Sequence, residues 1–345
     1  MNCKDCSAIE PVEDEGEIRF RPFTFVLASA LRAAGVEFAG TKNTGKITYT
    51  SREALFDLLK LLNLLQKQLD NSLELCINSK TGKGSAERWV SLDQLEIRFA
   101  NDNLISIISN HDFTSHMQPI VNFNEEIIGF ELLLRPLPQG SVFQPYELFE
   151  LARQTGFHSF LDRAARISAI ETSARLLPKG IKRFINFLPS SIYNPSFCLT
   201  HTFEAITRLD QDPEDFVFEV VETERIDDMR HLQAIFTEYR KQGMRVALDD
   251  VGAGYSTVEV MSSLQPDYVK IDRALISYCD QDTVKQKAIN DILNRASAFG
   301  AEILAEGIER REEFLYCRDI GILLGQGYLF GKPEDKPPAS FGFIA

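Results

Sequence analysis

Two hydrophobic rhythms divide the chain. Over residues 52–70, leucines recur at 55, 58, 59, 62, 65 and 69, which lays one wide apolar stripe along a helix. Short alternating pieces at 46–50 and 72–77 flank it and read as strands. The stretch 81–85 is glycine-rich and reads as a loop, and 101–111 reads as a helix leading onward. This predicts a small α/β domain over residues 1–112.

From residue 117 the rhythm changes to short apolar runs alternating with amphipathic stretches. Strands are predicted at 118–123, 127–134, 183–187, 216–221, 245–248, 268–271, 302–305 and 327–329. Helices are predicted at 146–155, 160–176, 202–209, 228–242, 283–299 and 310–320. Buried strands alternating with helices argue for a parallel sheet, and eight of them close into a (β/α)8 barrel of the TIM type. One connection breaks the pattern. Only Asn124, Glu125 and Glu126 join the first two strands, too few for a parallel crossover, so the first strand is predicted to be antiparallel. The barrel domain is expected over residues 113–345.

Composition narrows the class without changing that picture. The 345 residues are 25% charged and 44% hydrophobic, which is ordinary for a globular protein. No apolar run is long enough for a bilayer, and the acidic opening is expected not to be a signal peptide. Six scattered cysteines read as reduced thiols in a cytoplasmic protein. The net charge is −13, of which −3 falls in residues 1–112 and −10 in the rest. That field repels nucleic acid, so DNA and RNA are not expected partners, nor is a membrane. A phosphate-bearing substrate then requires cations to mask the carboxylates.

Acidic and amide residues collect where the predicted strands end: Glu131, Asn186, Glu219, Glu222, Asp249, Asp250, Glu306, Glu309 and Gln326. In a barrel most of them converge on the C-terminal face, where active sites sit. The donors are oxygen, with no histidine or cysteine, which suits Mg²⁺ or Mn²⁺ rather than zinc. So many carboxylates cannot all stay ionised together without cations. Two divalent ions about 4 Å apart would relieve the repulsion, activate a water and steady both oxygens of an in-line displacement at phosphorus. Lys270 is the one cation of the set and suits the attacking group or the charge developing on phosphate. Singly, each piece has a plainer reading: a helix cap, a turn at Asp249-Asp250, a snorkelling lysine. Their recurrence at strand end after strand end outweighs it.

At these residues the sequence resembles the EAL-domain family, bacterial phosphodiesterases of cyclic di-GMP, over residues 113–335. The name-giving triplet stands here as Glu131-Leu132-Leu133, followed by Leu134-Arg135, with Gln118-Pro119-Ile120-Val121 upstream. Further along come Glu219-Val220-Val221-Glu222, Asp249-Asp250-Val251-Gly252-Ala253-Gly254, Lys270-Ile271-Asp272, Ala305-Glu306-Gly307-Ile308-Glu309 and Gln326-Gly327-Tyr328. The resemblance implies hydrolysis of one phosphodiester bond of cyclic di-GMP to linear 5′-pGpG, with two Mg²⁺ or Mn²⁺ ions, in a homodimer formed through the barrel. It implies metal ligation by Glu131, Asn186, Glu219 and Asp249, with Asp250 at the second metal and Glu306 as a further acidic ligand. It implies that Lys270 positions the nucleophilic water, supported by Glu309 and Gln326. Gln118, Arg135 and Asp272 become substrate contacts. Glu222 becomes the anchor of the loop at 250–256, which the family uses to link metal site and dimer.

The departures are Leu132 for alanine, Pro136 for tryptophan, Val221 for threonine and Val251 for phenylalanine, none of them an expected metal ligand. Two other readings compete: a cyclic di-GMP receptor with little turnover, and an adaptor that binds no nucleotide. Both predict lost ligands, and the full set favours the enzyme. The N-terminal domain resembles no family. Cys3 and Cys6 form half a zinc site without a second pair, and Gly82-Lys83-Gly84 lacks the spacing of a phosphate loop. Cys198, Cys279 and Cys317 lie in apolar stretches and are expected to be core residues.

Overall fold

The computed structural model describes residues 14–69, 72–79, 89–220, 228–252 and 257–338. The chain forms two compact units, Met1–Asp112 with Phe143–Leu161, and Phe113–Val142 with Asp162–Ala345.

In the first unit an antiparallel sheet carries strands β1 (Gly16–Arg21), β2 (Ala39–Gly40), β3 (Gly45–Tyr49), β4 (Glu74–Ser79) and β5 (Val90–Ser91), in the order β2-β3-β1-β4-β5. Helices Phe25–Ala33 and Arg52–Leu69 pair with it in the split βαβ manner. The leucine stripe packs as its spacing dictates. Leu55, Leu59 and Leu62 are buried with Leu27 and Leu31 against Ile18, Phe20 and Ile47 of the sheet. Strand β1 and the helix Phe25–Ala33 were not visible in the hydrophobic pattern. A capping signal was present, since Thr24 Oγ1 accepts from Leu27 N at 3.2 Å. Gly45 is required where it stands, because a Cβ there would lie 2.1 Å from the Phe20 ring.

The second unit is a closed eight-stranded barrel. Its strands are β6 (Phe113–Asn122), β7 (Ile127–Pro136), β8 (Lys182–Phe187), β9 (Phe216–Val220), β10 (Arg245–Val251), β11 (Tyr268–Ile271), β12 (Glu302–Ala305) and β13 (Leu324–Gln326). They follow chain order around the barrel, with β13 returning to β6. β6 is antiparallel to both neighbours, and the remaining pairs are parallel. The hairpin is tight because Asn122 Oδ1 accepts from Asn124 N (2.9 Å) and Glu126 N (3.0 Å), while Glu125 takes φ 63°.

Two strands differ most from expectation: β6 begins at Phe113, five residues before 118, and the last strand is displaced. The last strand is Leu324–Gln326, three residues earlier than 327–329. At Gly327 the chain leaves the sheet and lies against another backbone, where a Cβ would sit 2.1 Å from the Ile308 carbonyl oxygen. Leu329 N then donates to that oxygen at 3.1 Å. Cys198, Cys279 and Cys317 are buried, as their surroundings implied. Among the described residues no helix is long and apolar enough to cross a membrane. Cys3, Cys6, Gly82–Gly84, Glu222 and Gly254 lie outside the described residues.

Candidate active site

The barrel interior is built in layers, and the site is its top layer. Ile120, Phe184, Val217, Ala247, Tyr268, Leu304 and Leu324 pack together inside the barrel. Residues two apart on a strand face the same side. Two residues beyond each of these in the parallel strands stand Asn186, Glu219, Asp249, Lys270, Glu306 and Gln326. In the reversed strand β6 the corresponding position is two residues before Ile120, and it is Gln118. On β7, Glu131 pairs with Gln118 across the hairpin. The polar ring is therefore a consequence of strand periodicity: an apolar plug below, one polar side chain above it on every strand.

Strand periodicity alone would turn Asp250 away from Asp249. The β10–β11 register shifts between Leu248 and Val251, and Asp250 takes φ 52°. This is a local irregularity with a left-handed aspartate, a conformation that concentrates at functional sites. As a result one carboxylate oxygen each from Asp249, Asp250 and Glu306 lie within 4.8 Å of one another.

Lys270 stands at the centre, fully buried. Its Nζ lies 2.9 Å from Asp249 Oδ1, 2.8 Å from Glu306 Oε1 and 3.8 Å from Glu131 Oε2, and it also pairs with Glu219. One ammonium thus faces four carboxylates. Burial alone would lower the lysine pKa, but the carboxylates hold it well above its ordinary value. Burial, with Asp249 and Glu131 close by, pushes Glu219 and Glu306 well above the carboxylate range. Glu131 goes the other way. Burial would raise it, but Lys270 and two amide donors outweigh that, and it sits below its ordinary value. Those donors are Asn186 Nδ2 at 3.0 Å and Gln326 Nε2 at 2.6 Å, and Gln326 Nε2 also reaches Gln118 Oε1 at 3.1 Å. Glu219 Oε1 is buried and meets no hydrogen-bond donor among the described residues.

A cleft of about 260 Å³ opens over this ring. Gln118, Glu131, Asp250, Glu306 and Gln326 line it, and Asp272 and Glu309 form part of its lip. Asp272 caps the short helix Arg273–Ile276, its Oδ1 accepting from Ala274 N at 2.8 Å. Glu309 is not at Lys270; its carboxylate pairs with Arg273 Nη2 at 2.8 Å. Arg135 does not line the cleft, and its guanidinium bonds the Leu134 carbonyl at 2.7 Å. Of the departures, Leu132 and Val251 are buried in the layer between strands and helices, and Pro136 ends β7. Arg273 and Tyr328 are cleft residues that sequence reasoning missed. The signal for Arg273 was its place directly after Lys270-Ile271-Asp272.

The EAL domain model matches residues 101–333 of the chain. The chain belongs to the EAL domain family. It is similar to the probable cyclic di-GMP phosphodiesterase PdeG of Escherichia coli (strain K12), with 31% identity over 236 residues. That match covers 66% of this chain but only 45% of PdeG. Cyclic di-GMP phosphodiesterase PdeL of the same organism is 26% identical over 265 residues, covering 74% of this chain and 72% of PdeL. Among solved structures, a standalone versatile EAL protein from Vibrio cholerae O395 in its c-di-GMP-bound form is 35% identical, with a TM-score of 0.60. The match covers 66% of this chain and 94% of that protein. Klebsiella pneumoniae BlrP1, as a manganese/cy-diGMP complex, is 21% identical with a TM-score of 0.58, over 92% of this chain and 96% of that one. At that identity the likeness concerns the fold alone. The TIM-like barrel of this EAL domain, with its reversed first strand, is the architecture its hydrophobic pattern predicts.

Proposed function

We propose that the chain hydrolyses one phosphodiester bond of cyclic di-GMP to linear 5′-pGpG, using two Mg²⁺ or Mn²⁺ ions. The observation that carries this reading is the cluster of Asp249, Asp250 and Glu306 beside a buried ring in which carboxylates outnumber cations. The donor set fits divalent cations. It is all oxygen, it carries excess negative charge, and Glu219 Oε1 is buried without a donor among the described residues.

Asp249, Asp250 and Glu306 would hold one side of the ion site, and Glu131, Asn186 and Glu219 the other. Bound ions would supply charge neutralisation and a more acidic water. The residues of the chain do the rest. Gln326 and Asn186 orient the two oxygens of Glu131. Lys270, fixed by its four carboxylates, directs the attacking water and offsets charge developing on the phosphate. Gln118 and Asp272 face the cleft where the substrate sits, and Glu309 supports its lip. The assignment of Glu222 as loop anchor, of Arg135 as a phosphate contact and of a homodimer rests on family resemblance.

The deciding experiment is incubation with cyclic di-GMP and Mg²⁺, Mn²⁺ or Ca²⁺, with products read by chromatography. Linear 5′-pGpG is expected with Mg²⁺ or Mn²⁺ and not with Ca²⁺, whose longer bonds and looser geometry misplace the attacking water. Nucleotide binding without product under all three ions would turn the reading to a receptor. Absence of binding would remove both.

A further inference from the structure

Strands β11 and β12 are paired as far as Ile271 and Ala305, and beyond those residues their chains separate. The two separating segments form one lip of the cleft: Asp272 and Arg273 come from the first, Gly307 and Glu309 from the second. A buried side chain at their far end joins them. Glu313, in the first turn of the helix Arg311–Asp319, is 1% exposed. Its Oε1 accepts from Tyr278 N at 2.8 Å, and its Oε2 accepts from Glu309 N and Arg310 N, both at 3.1 Å. A single carboxylate thus takes amides from both segments.

The surroundings reinforce the joint. Tyr278 is held at φ 56°, a left-handed conformation that a tyrosine adopts only when its neighbours impose it. The Arg310 guanidinium lies 4.6 Å from the Tyr278 ring centroid and 3.0 Å from Asp280, so it clasps the first segment from the second. At the open edge the Arg273–Glu309 ion pair crosses the same gap. Deeper in the barrel, Lys270 and Glu306 depend on something else. Lys270 sits within β11, and Glu306 N bonds the Ile271 carbonyl at 3.1 Å, so the strand ladder holds them.

We propose that Glu313 is a positioning residue for substrate: it fixes Asp272, Arg273 and Glu309 as one rigid lip without setting the geometry of the ion site. The inference deepens the proposed function and rests on it for the identity of the substrate. Glu313→Ala removes the acceptor for all three amides. Glu313→Gln keeps the shape and one oxygen acceptor, so it retains part of the joint.

The test combines steady-state hydrolysis of cyclic di-GMP, Mn²⁺ titration followed by electron paramagnetic resonance, and amide hydrogen exchange on the full chain. For Glu313→Ala, KM is expected to rise about tenfold with kcat within about twofold, the signature of lost substrate binding. Glu313→Gln should fall between Glu313→Ala and the parent. Mn²⁺ affinity should hold in both variants. Exchange at Tyr278, Glu309 and Arg310 should quicken by about tenfold or more, while Lys270 and Glu306 stay protected. An unchanged KM overturns the proposal, and so does a loss shared equally by kcat and Mn²⁺ affinity. If Glu313→Ala does not fold, Glu313→Gln carries the same test. If the parent chain hydrolyses nothing, the functional reading fails on its own. Unchanged exchange at the three amides would then still refute the joint.

Discussion

Two of the buried cations of the barrel, Arg183 and Lys270, lie at opposite ends of its strands and live under opposite rules. At the end where the strands begin, Arg183 is fully buried and is met by Asp215 at 3.2 Å. The carbonyls of Ile181, Leu177 and Pro178 and the Gln211 side chain take its other terminal N–H groups at 2.7–3.2 Å. Burial pulls the Arg183 pKa below its ordinary value, with one carboxylate resisting. At the other end Lys270 faces four carboxylates and is driven upward instead. A nearly neutral cluster, one carboxylate to one guanidinium whose terminal nitrogens are all bonded, holds a structure together. A cluster with surplus negative charge is held by the structure around it, and it keeps a demand for cations from outside. The same fold therefore divides its labour between its ends.

Substitutions at the two ends test that division. Arg183→Met should cost the most, about 3–5 kcal/mol of stability in urea unfolding, because it strands a buried Asp215. The double variant Arg183→Met/Asp215→Leu should recover most of the loss, and the folded protein should keep its specific activity within about twofold. If the single variant melts like the parent, the lower cluster is not the stabilising one.

Next in size, Glu131→Ala or Asp249→Ala should each lower hydrolysis by about 10² or more under saturating Mg²⁺, because each removes an oxygen that the proposed ion site requires. Lys270→Ala should lower kcat while leaving KM within about tenfold, since its charge is needed chiefly in the transition state. Retained turnover in all three would erase the distinction between the ends.

A smaller effect separates function from stability. Glu219→Gln replaces a buried carboxyl whose ionised form burial and its neighbours already disfavour. In EDTA it should raise the unfolding free energy by about 1 kcal/mol, and Mn²⁺ should stabilise it less than the parent. A destabilised variant in EDTA would mean that Lys270 already balances the ring. The smallest change expected is at Gly307, which has φ 67° and where a Cβ would lie 2.3 Å from Arg273 Cγ. Gly307→Ala should raise KM about threefold through Arg273, with kcat unchanged; a fall in kcat alone would place Gly307 with the ion site instead.

How much of this was legible in the sequence depends on the range of the forces. The strands of the barrel show because each buries a run of apolar residues. The polar ring shows because on the parallel strands its members recur at or just past the strand end, strand after strand. The reversal of β6 shows because Asn124, Glu125 and Glu126 are too few for a crossover. The last strand was displaced because its end is set by a backbone contact between Gly327 and Ile308, which no local pattern carries. β1 was missed because charged Glu17, Arg19 and Arg21 occupy its half-buried positions and its short length offers few apolar ones. That Glu309 pairs with Arg273 was hidden for a similar reason. Its partner Arg273 comes from another loop, and nothing in the spacing of the motif distinguishes a carboxylate on the ring from one on the lip. The turn of Asp250 toward Asp249 likewise depends on a register shift visible only in three dimensions.

The reversed strand has a mechanical corollary. Because β6 runs against its neighbours, its first residue, Phe113, lies level with Pro136, five positions past Glu131 on β7. The chain thus enters the barrel at the rim that carries the carboxylates, whereas a parallel first strand would bring it in at the opposite rim. From Phe113 to Gln118 the path is an unbroken ladder paired residue for residue with β7. Ladder bonds bear load together in shear, and a strand has no soft joint along its length. One paired run therefore leads from residue 113 to Gln118, whose side chain meets Gln326, which in turn holds Glu131.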